Sequence, residues 1–457
     1  MKDSEIKEGN FLNLSGNYKT AKNNKFGFIQ EIDWILFVIV FLLTSIGFLM
    51  IFSATFKSNN YPIYLSKQLS ALFIGVILMF FLTKFNYQIF KQYSMYVYII
   101  SILLLISVLF FGKEVKGTKA WLDFKLFTFQ PSEISKILFI LSLAAYLDKE
   151  SKEIYKLQKL VIPLLMLFGN IFLILIEPDL SGAIVYFPVM LVMLYCVNAQ
   201  IHHLLGIILY GTITFSVPLI KTIIASMFYF SPILKFFNSV LYTVLLILII
   251  GLLLLFLWWL LNRIFIFVPL FYFICIFAII ISGICSSYIV DKNLKNYQKK
   301  RLITFISPKI DPLGAGYNIT QSKIAIGSGR LFGKGLFNGT QGQLGFVPAK
   351  HTDFIFTLIS EELGFIFSLF VVLLYFLLFL RGISIAKSSR NMYGFLIATG
   401  ISSMFGFYAI INIGMVIGLM PVTGLPLPFI SYGGSSIVSS FMSIGILFSI
   451  YKRRFIY

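Results

Sequence analysis

Asp311 is the residue whose neighbours best suit it to chemistry. It stands in Lys309-Ile310-Asp311-Pro312-Leu313-Gly314-Ala315-Gly316-Tyr317, within a polar stretch from Asp291 to Thr352 that holds ten Lys or Arg and only Asp291 and Asp311 as acids. An Asp-Pro step favours a turn, because proline pushes the preceding residue to extended geometry. A turn-forming aspartate is therefore one reading. The other is a general base: the surrounding cations keep the carboxylate ionised, and it accepts the proton of a hydroxyl as that hydroxyl attacks. So long a basic stretch between apolar segments is a binding surface for something anionic.

Four further groups of residues carry chemical potential. In Phe129-Gln130-Pro131-Ser132-Glu133-Ile134-Ser135-Lys136, Pro131 or Ser132 opens a helix and Glu133 sits in its first turn. Glu133 and Lys136 are i, i+3 neighbours; they form either a surface ion pair on a capped helix or a polar cluster facing a groove. His351-Thr352-Asp353 reads as a helix start, and Ser360-Glu361-Glu362-Leu363-Gly364 follows inside an apolar segment. Two adjacent glutamates there are costly unless paired or wet. The run from Gly327 to Gly335 is not a nucleotide-phosphate loop, since Gly335 stands where Ser or Thr would hold a metal. It reads as a flexible turn, or as backbone approaching a ligand with Arg330 and Lys334 meeting phosphates. Pro421 to Ser436 is irregular backbone entering a membrane helix, which must be buried in protein or line a wet cavity.

The elements that position these groups are membrane spans. The 457 residues are 58% hydrophobic and 12% charged, with mean hydropathy +0.91. A soluble domain cannot bury that much apolar surface, so the chain reads as an all-α polytopic membrane protein. The net charge of +19 suits lysines beside membrane helices and contact with membrane lipids. Nucleic-acid binding is not expected, because no soluble basic domain exists to carry it. Cys196, Cys275 and Cys285 lie in apolar segments without metal-site spacing and read as small core residues; no metal site is expected. Hydropathy places about twelve spans, near 34–53, 66–83, 96–111, 131–147, 160–176, 181–197, 203–220, 238–260, 264–288, 353–380, 394–418 and 431–451. The short loops with Lys84, Lys91, Lys149, Lys152, Arg263, Arg381, Lys387 and Lys452 place both termini in the cytoplasm. The basic loops 112–130 and 291–352 then fall outside. The expected organisation is a cytoplasmic tail 1–33, an N-terminal membrane core 34–220, further membrane segments 221–289, a large extracytoplasmic loop 290–352 and a C-terminal membrane core 353–457.

The strings FQPSEISK, EPDLSGA, DPLGAGYNITQSKIAIGSG, GTQGQLGFVPAKHTDFIF, EELG and PVTGLPLPFISYGGSS together resemble the SEDS family (shape, elongation, division, sporulation). The resemblance covers roughly 33–220 and 290–451. The GTQ-x-QL-x-F-x-P string is similar to the elongation branch, RodA, rather than the division branch, FtsW. The resemblance implies a SEDS-type helical bundle with a family core of ten spans, so that 221–289 is an inserted pair of unassigned role. It implies a peptidoglycan glycosyltransferase in the bacterial cytoplasmic (inner) membrane, acting on lipid II at the outer face. Asp311 matches the family's catalytic aspartate. The substrate contacts it implies are Lys119, Trp121, Glu133, Lys136, Gln321, Lys323, Arg330, Lys334, Thr340, Gln341 and His351. A class B penicillin-binding protein and an elongation complex are the implied partners; no cofactor is implied, and a divalent cation is left open. One departure concerns Gly117-Thr118-Lys119-Ala120-Trp121, where Ala120 replaces the Arg usual before the Trp and Lys119 stands in its stead. The rival readings are a flippase of lipid-linked precursor, a division polymerase and a non-catalytic scaffold.

Overall fold

The structure, a computed structural model, describes residues 32–57, 61–115, 118–123, 128–227, 240–264, 269–293, 301, 304–305, 314–347 and 349–455. Asp311 lies outside the described residues. The long helices are α1 (Trp34–Thr55), α2 (Tyr61–Lys84), α3 (Ser94–Phe111), α4 (Pro131–Lys149), α5 (Val161–Ile176), α6 (Tyr186–Cys196), α7 (Ile201–Met227), α8 (Val240–Arg263), α9 (Leu270–Asn293), α10 (Ala315–Gly329), α11 (Ile355–Lys387), α12 (Met392–Ile417) and α13 (Gly434–Lys452). Among the described residues, ten helices are long and apolar enough to cross a membrane, so the chain is an integral membrane protein. Two expected spans, 131–147 and 181–197, are present as helices but fall short of that standard. α4 carries Glu133, Lys136, Asp148 and Lys149, and α6 has 11 residues after the short turn of helix Leu180–Ile184.

The centre of the bundle is α12 and α13. Of their most apolar stretches 78% and 72% is buried, against none of α8. α13 packs along α2, where Gly445 lets the two backbones meet: a Cβ there would strike the backbone of Met79. Close approach through small residues is the usual way membrane helices gain contact, because lipid offers no hydrophobic drive between them. α7, α8 and α9 pack chiefly on one another at the edge, with α7 also touching α6.

The two ends of the bundle differ. At the end where α1 begins and α13 finishes, the Asp33 carboxylate caps α1 by accepting from Leu36 N at 3.1 Å and also accepts from Arg381 Nε at 2.8 Å. There too, Arg453 donates to the Lys84 carbonyl at 2.7 Å. The opposite end carries the irregular segments. Loop 112–130 contains a small antiparallel sheet, β1 (Lys113–Val115), β2 (Thr118–Asp123) and β3 (Thr128–Phe129), with Lys113 opposite Trp121 and Leu122 opposite Phe129. Among the described residues this is the one departure from all-helical secondary structure. Strand pairing satisfies backbone groups that a bare loop at a membrane surface would leave open.

The segment from Pro421 to Gly433 contains no helix, yet its backbone is satisfied by protein. Asn412 Nδ2 donates to the Leu425 carbonyl at 2.6 Å, Leu427 N donates to Ser431 Oγ at 2.7 Å, and Tyr375 donates to the Pro428 carbonyl. Gln68, fully buried on α2, accepts from Gly433 N at 3.1 Å. Irregular backbone at membrane depth is tolerated on this condition. The same segment shifts the start of α11. A cap at Thr352 or Asp353 is expected, but their carbonyls accept from Ser431 Oγ (2.8 Å) and Asn412 Nδ2 (2.9 Å), and the helix begins at Ile355 with Phe354 in the cap position.

Candidate active site

Two buried polar clusters and one aromatic cluster lie toward the irregular end. The first grows from the start of α4. Pro131 occupies the first turn, where its missing N–H costs nothing, and Gln130 N is anchored to Ser435 Oγ of α13 at 2.8 Å. This turns Glu133 and Lys136 inward: their side chains are 7% and 3% exposed, and they pair at 2.6 Å. Tyr408 of α12 donates to both Glu133 oxygens at 3.0 Å and also meets Lys136 Nζ. The result is a neutral, hydrogen-bonded ion pair, which is what makes two charges tolerable away from water. A second layer follows on the next helices: Ser135 bonds Tyr186 at 2.5 Å, and Ser101 donates to Asn170 Oδ1 at 2.9 Å.

Beside this cluster, Gln130 Nε2 donates to Asp179 Oδ2 at 3.0 Å, and Asp179 caps the turn of helix after α5 by accepting from Gly182 N. Neighbouring Glu177 is 1% exposed, and its two oxygens make no hydrogen bond among the described residues. Burial, and then the charge of Asp179, push its carboxyl up to about 8. The group is thus a neutral acid near neutral pH.

The second cluster centres on Glu361 and Glu362, both fully buried in α11. At 33 residues α11 would run about 50 Å as a straight helix, well beyond the hydrocarbon core. It is instead interrupted at Gly364, whose φ is +81°. An intact helix would bond Phe365 N to the Glu361 carbonyl and Ile366 N to the Glu362 carbonyl. Here Phe365 N donates to the Arg330 carbonyl (2.8 Å) and Ile366 N to the Leu331 carbonyl (3.2 Å). The vacated Glu361 and Glu362 carbonyls accept from Lys334 N and Gly335 N, each at 3.0 Å. The segment 330–335 thereby takes over the hydrogen bonds of the broken turn. A Cβ at Gly364 or at Gly333, itself at φ +80°, would strike the other's backbone.

The two carboxylates reinforce the join. Glu361 accepts from Lys334 Nζ (3.0 Å), Thr340 Oγ1 (3.2 Å), Gln341 N (2.8 Å) and Gly342 N (2.9 Å). It therefore sits at the N-terminus of the short helix Thr340–Gln343, where a negative charge is favoured. Glu362 accepts from Ser53 Oγ of α1 (2.6 Å) and Gln343 Nε2 (2.9 Å).

Of the residues expected to contact substrate, Glu133 and Lys136 meet in the first cluster, and Lys334, Thr340 and Gln341 meet on Glu361. His351 forms an aromatic group with Tyr64 and Tyr432, ring centroids 5.2 and 5.7 Å away. Lys323 is exposed midway along α10 and Arg330 is exposed just past its C-terminal end, while Gln321 is half-buried on the same helix. The Lys323 stem lies against Gly418, where α12 ends in left-handed backbone at φ +78°. Arg330 caps α10 at φ +50°, an unusual conformation for a side chain of its size. Lys119 and Trp121 lie on β2, and Lys119 Nζ donates to the Leu109 carbonyl at 3.0 Å. Tyr408, Tyr64, Tyr432 and Glu177 were not singled out from sequence. Tyr408 and Tyr64 lack a charge or motif of their own, whereas Tyr432 stands within PVTGLPLPFISYGGSS and Glu177 within EPDLSGA. Among the described residues no group of three or more His, Cys, Asp or Glu side chains could hold a metal ion.

The sequence pattern of the FtsW/RodA/SpoVE family, described as a cell cycle protein, matches residues 33–243 and 220–455. The peptidoglycan glycosyltransferase RodA of Treponema pallidum is 35% identical over 452 residues, spanning 93% of this chain and 99% of that one. Peptidoglycan glycosyltransferase MrdB of Escherichia coli is 31% identical over 93% of this chain and 94% of its own. Among solved structures, a chain described under structural coordination of polymerization and crosslinking by a peptidoglycan synthase complex is similar at TM-score 0.65 and 25% identity. It covers 93% of this chain and 99% of that chain. The rod shape determining protein RodA of Thermus thermophilus shares the fold at TM-score 0.58 and 23% identity, over 93% and 97%. Sequence and fold agree over nearly the whole length, and the chain belongs to the FtsW/RodA/SpoVE family of polytopic membrane proteins.

Proposed function

We propose that this protein polymerises lipid II into the glycan strands of peptidoglycan during cell elongation. The observation that carries the reading is the near end-to-end match to two chains named peptidoglycan glycosyltransferases, RodA and MrdB. Asp311 takes the proton from the 4-hydroxyl of the acceptor GlcNAc. The freed oxygen bonds to the anomeric carbon of the donor sugar, the bond from that carbon to the pyrophosphate breaks, and the lipid pyrophosphate leaves with inversion. Cations disperse the leaving group's charge. Lys323, exposed on α10, and Arg330, exposed at its C-terminal cap, suit that task better than Lys334, which is engaged by Glu361. Substrate meets the protein at the irregular end, facing outward from the bacterial cytoplasmic membrane, with both termini inside.

The cross-linking partner is a class B penicillin-binding protein; the likeness to a chain from a peptidoglycan synthase complex supports this. Transport of lipid-linked precursor draws its best sequence support from Glu361 and Glu362 as members of a polar path. Both carboxylates are occupied in holding the 330–343 segment, which favours the polymerase. Glycan strands made from labelled lipid II by the purified wild type, and lost with Asp311→Asn, are the expected result.

A further inference from the structure

Resting on the polymerase reading, we infer that Glu361 is a positioning residue for glycosyl transfer. It fixes Thr340 and Gln341 at the site by holding their segment into the break of α11. Three observations converge. The break is not a local defect, because both carbonyls and both N–H groups released at Gly364 are taken up by residues 330, 331, 334 and 335. The Glu361 carboxylate then collects four donors from residues 334–342, two of them main-chain amides, while it is itself fully buried. Finally, the held segment is presented outward: Thr340 is exposed and Gln341 half-exposed. A buried anion that organises an exposed polar segment has the architecture of a support, with the groups that meet substrate one layer further out.

Glu361 and Glu362 divide the work. Glu362 ties the far end of the short helix, through Gln343, to Ser53 on α1. Glu361 fixes its near end and neutralises Lys334. Glu361 touches no reacting atom and exchanges no proton; it acts through the segment it holds.

The test uses the full chain with its penicillin-binding partner and labelled lipid II, comparing wild type, Glu361→Gln and Lys334→Met. Glu361→Gln keeps shape and removes charge. Lys334→Met removes one donor from the accessible side and leaves the carboxylate in place, so it reports even if the buried substitution impairs folding. In Glu361→Gln, amide exchange at Gln341 and Gly342 is expected to quicken about tenfold, the loss of charged hydrogen bonds being of that order. Exchange in α12 and α13 stays at the wild-type rate. kcat falls about tenfold and KM stays within about twofold, because binding groups remain while their alignment is lost. Lys334→Met moves the same quantities less far. Faster exchange with an unchanged kcat overturns the positioning role, and unchanged exchange overturns the tether. A wild type that makes no glycan overturns the polymerase reading and the positioning role with it, whatever the amides do.

Discussion

The two buried carboxylate clusters solve one problem in different ways. Glu133 is neutralised within its own helix, by Lys136 one turn on, and Tyr408 completes it from across the bundle. Glu361 is neutralised by a separate segment, largely through main-chain amides and one lysine. The first arrangement fixes how helices face one another; the second fixes a segment onto a helix. A side-chain pair within a rigid helix is preformed once the helix exists. A carboxylate served by loop amides is satisfied only when the loop has docked, so its desolvation cost makes folding of α11 and docking of 330–343 one event.

Lys136→Met breaks the first arrangement most severely. It leaves Glu133 buried without its cation, at a cost of about 3–5 kcal/mol, and should abolish recovery of folded protein from detergent. Adding Glu133→Gln to the same chain should restore much of the stability, and thermal unfolding of the single and double variants measures this. Equal loss in both would mean the pair matters as individual groups, not as a pair. Gly364→Ala attacks the second arrangement. The added Cβ meets the backbone of residues 331–333, and φ +81° is strained for alanine. A loss of about 2–4 kcal/mol is expected, with protease cleavage appearing in 330–343 before the membrane core unfolds.

Glu177 gives the most conditional effect, seen only at high pH, and it sharpens the contrast because neither solution serves it. Its folded pKa of about 8 lies above the ordinary carboxyl value of 4.5. The folded state therefore holds the proton more tightly. That advantage is complete below the lower value and is lost as pH rises through the upper one. Glu177→Gln keeps the neutral form at every pH. Melting temperatures of wild type and variant should agree near about pH 5 and separate by about pH 9, the variant being the more stable there. Parallel curves would mean that Glu177 has an unseen partner.

Much of this was legible in the sequence, for physical reasons that also mark its limits. Span positions followed from hydropathy, because the bilayer demands apolar runs of fixed length. The Glu133–Lys136 pair followed from i, i+3 spacing; its burial did not, since that depends on Tyr408 and Ser435, roughly 300 residues on. The oddity of Glu361-Glu362 was visible as two acids in an apolar segment, but their partners were not. Ser53 is 309 residues away from Glu362, and the amides of Gln341 and Gly342 carry no sequence signature at all. The glycine run 327–335 reads from sequence as a turn or a phosphate cradle. In the structure Gly333 makes room for the backbone of a broken helix, a role that no local pattern encodes. The sheet in 112–130 carries little signal in the sequence, because its strands are only two to six residues long.

The most direct test of the central claim is polymerisation by purified protein with its penicillin-binding partner, comparing wild type with Asp311→Asn on labelled lipid II. The account predicts glycan ladders from wild type and none from the variant, with both folded to the same melting temperature. Ladders from Asp311→Asn would contradict the mechanism. No ladders from either, with lipid II crossing the bilayer of proteoliposomes, would contradict the polymerase itself.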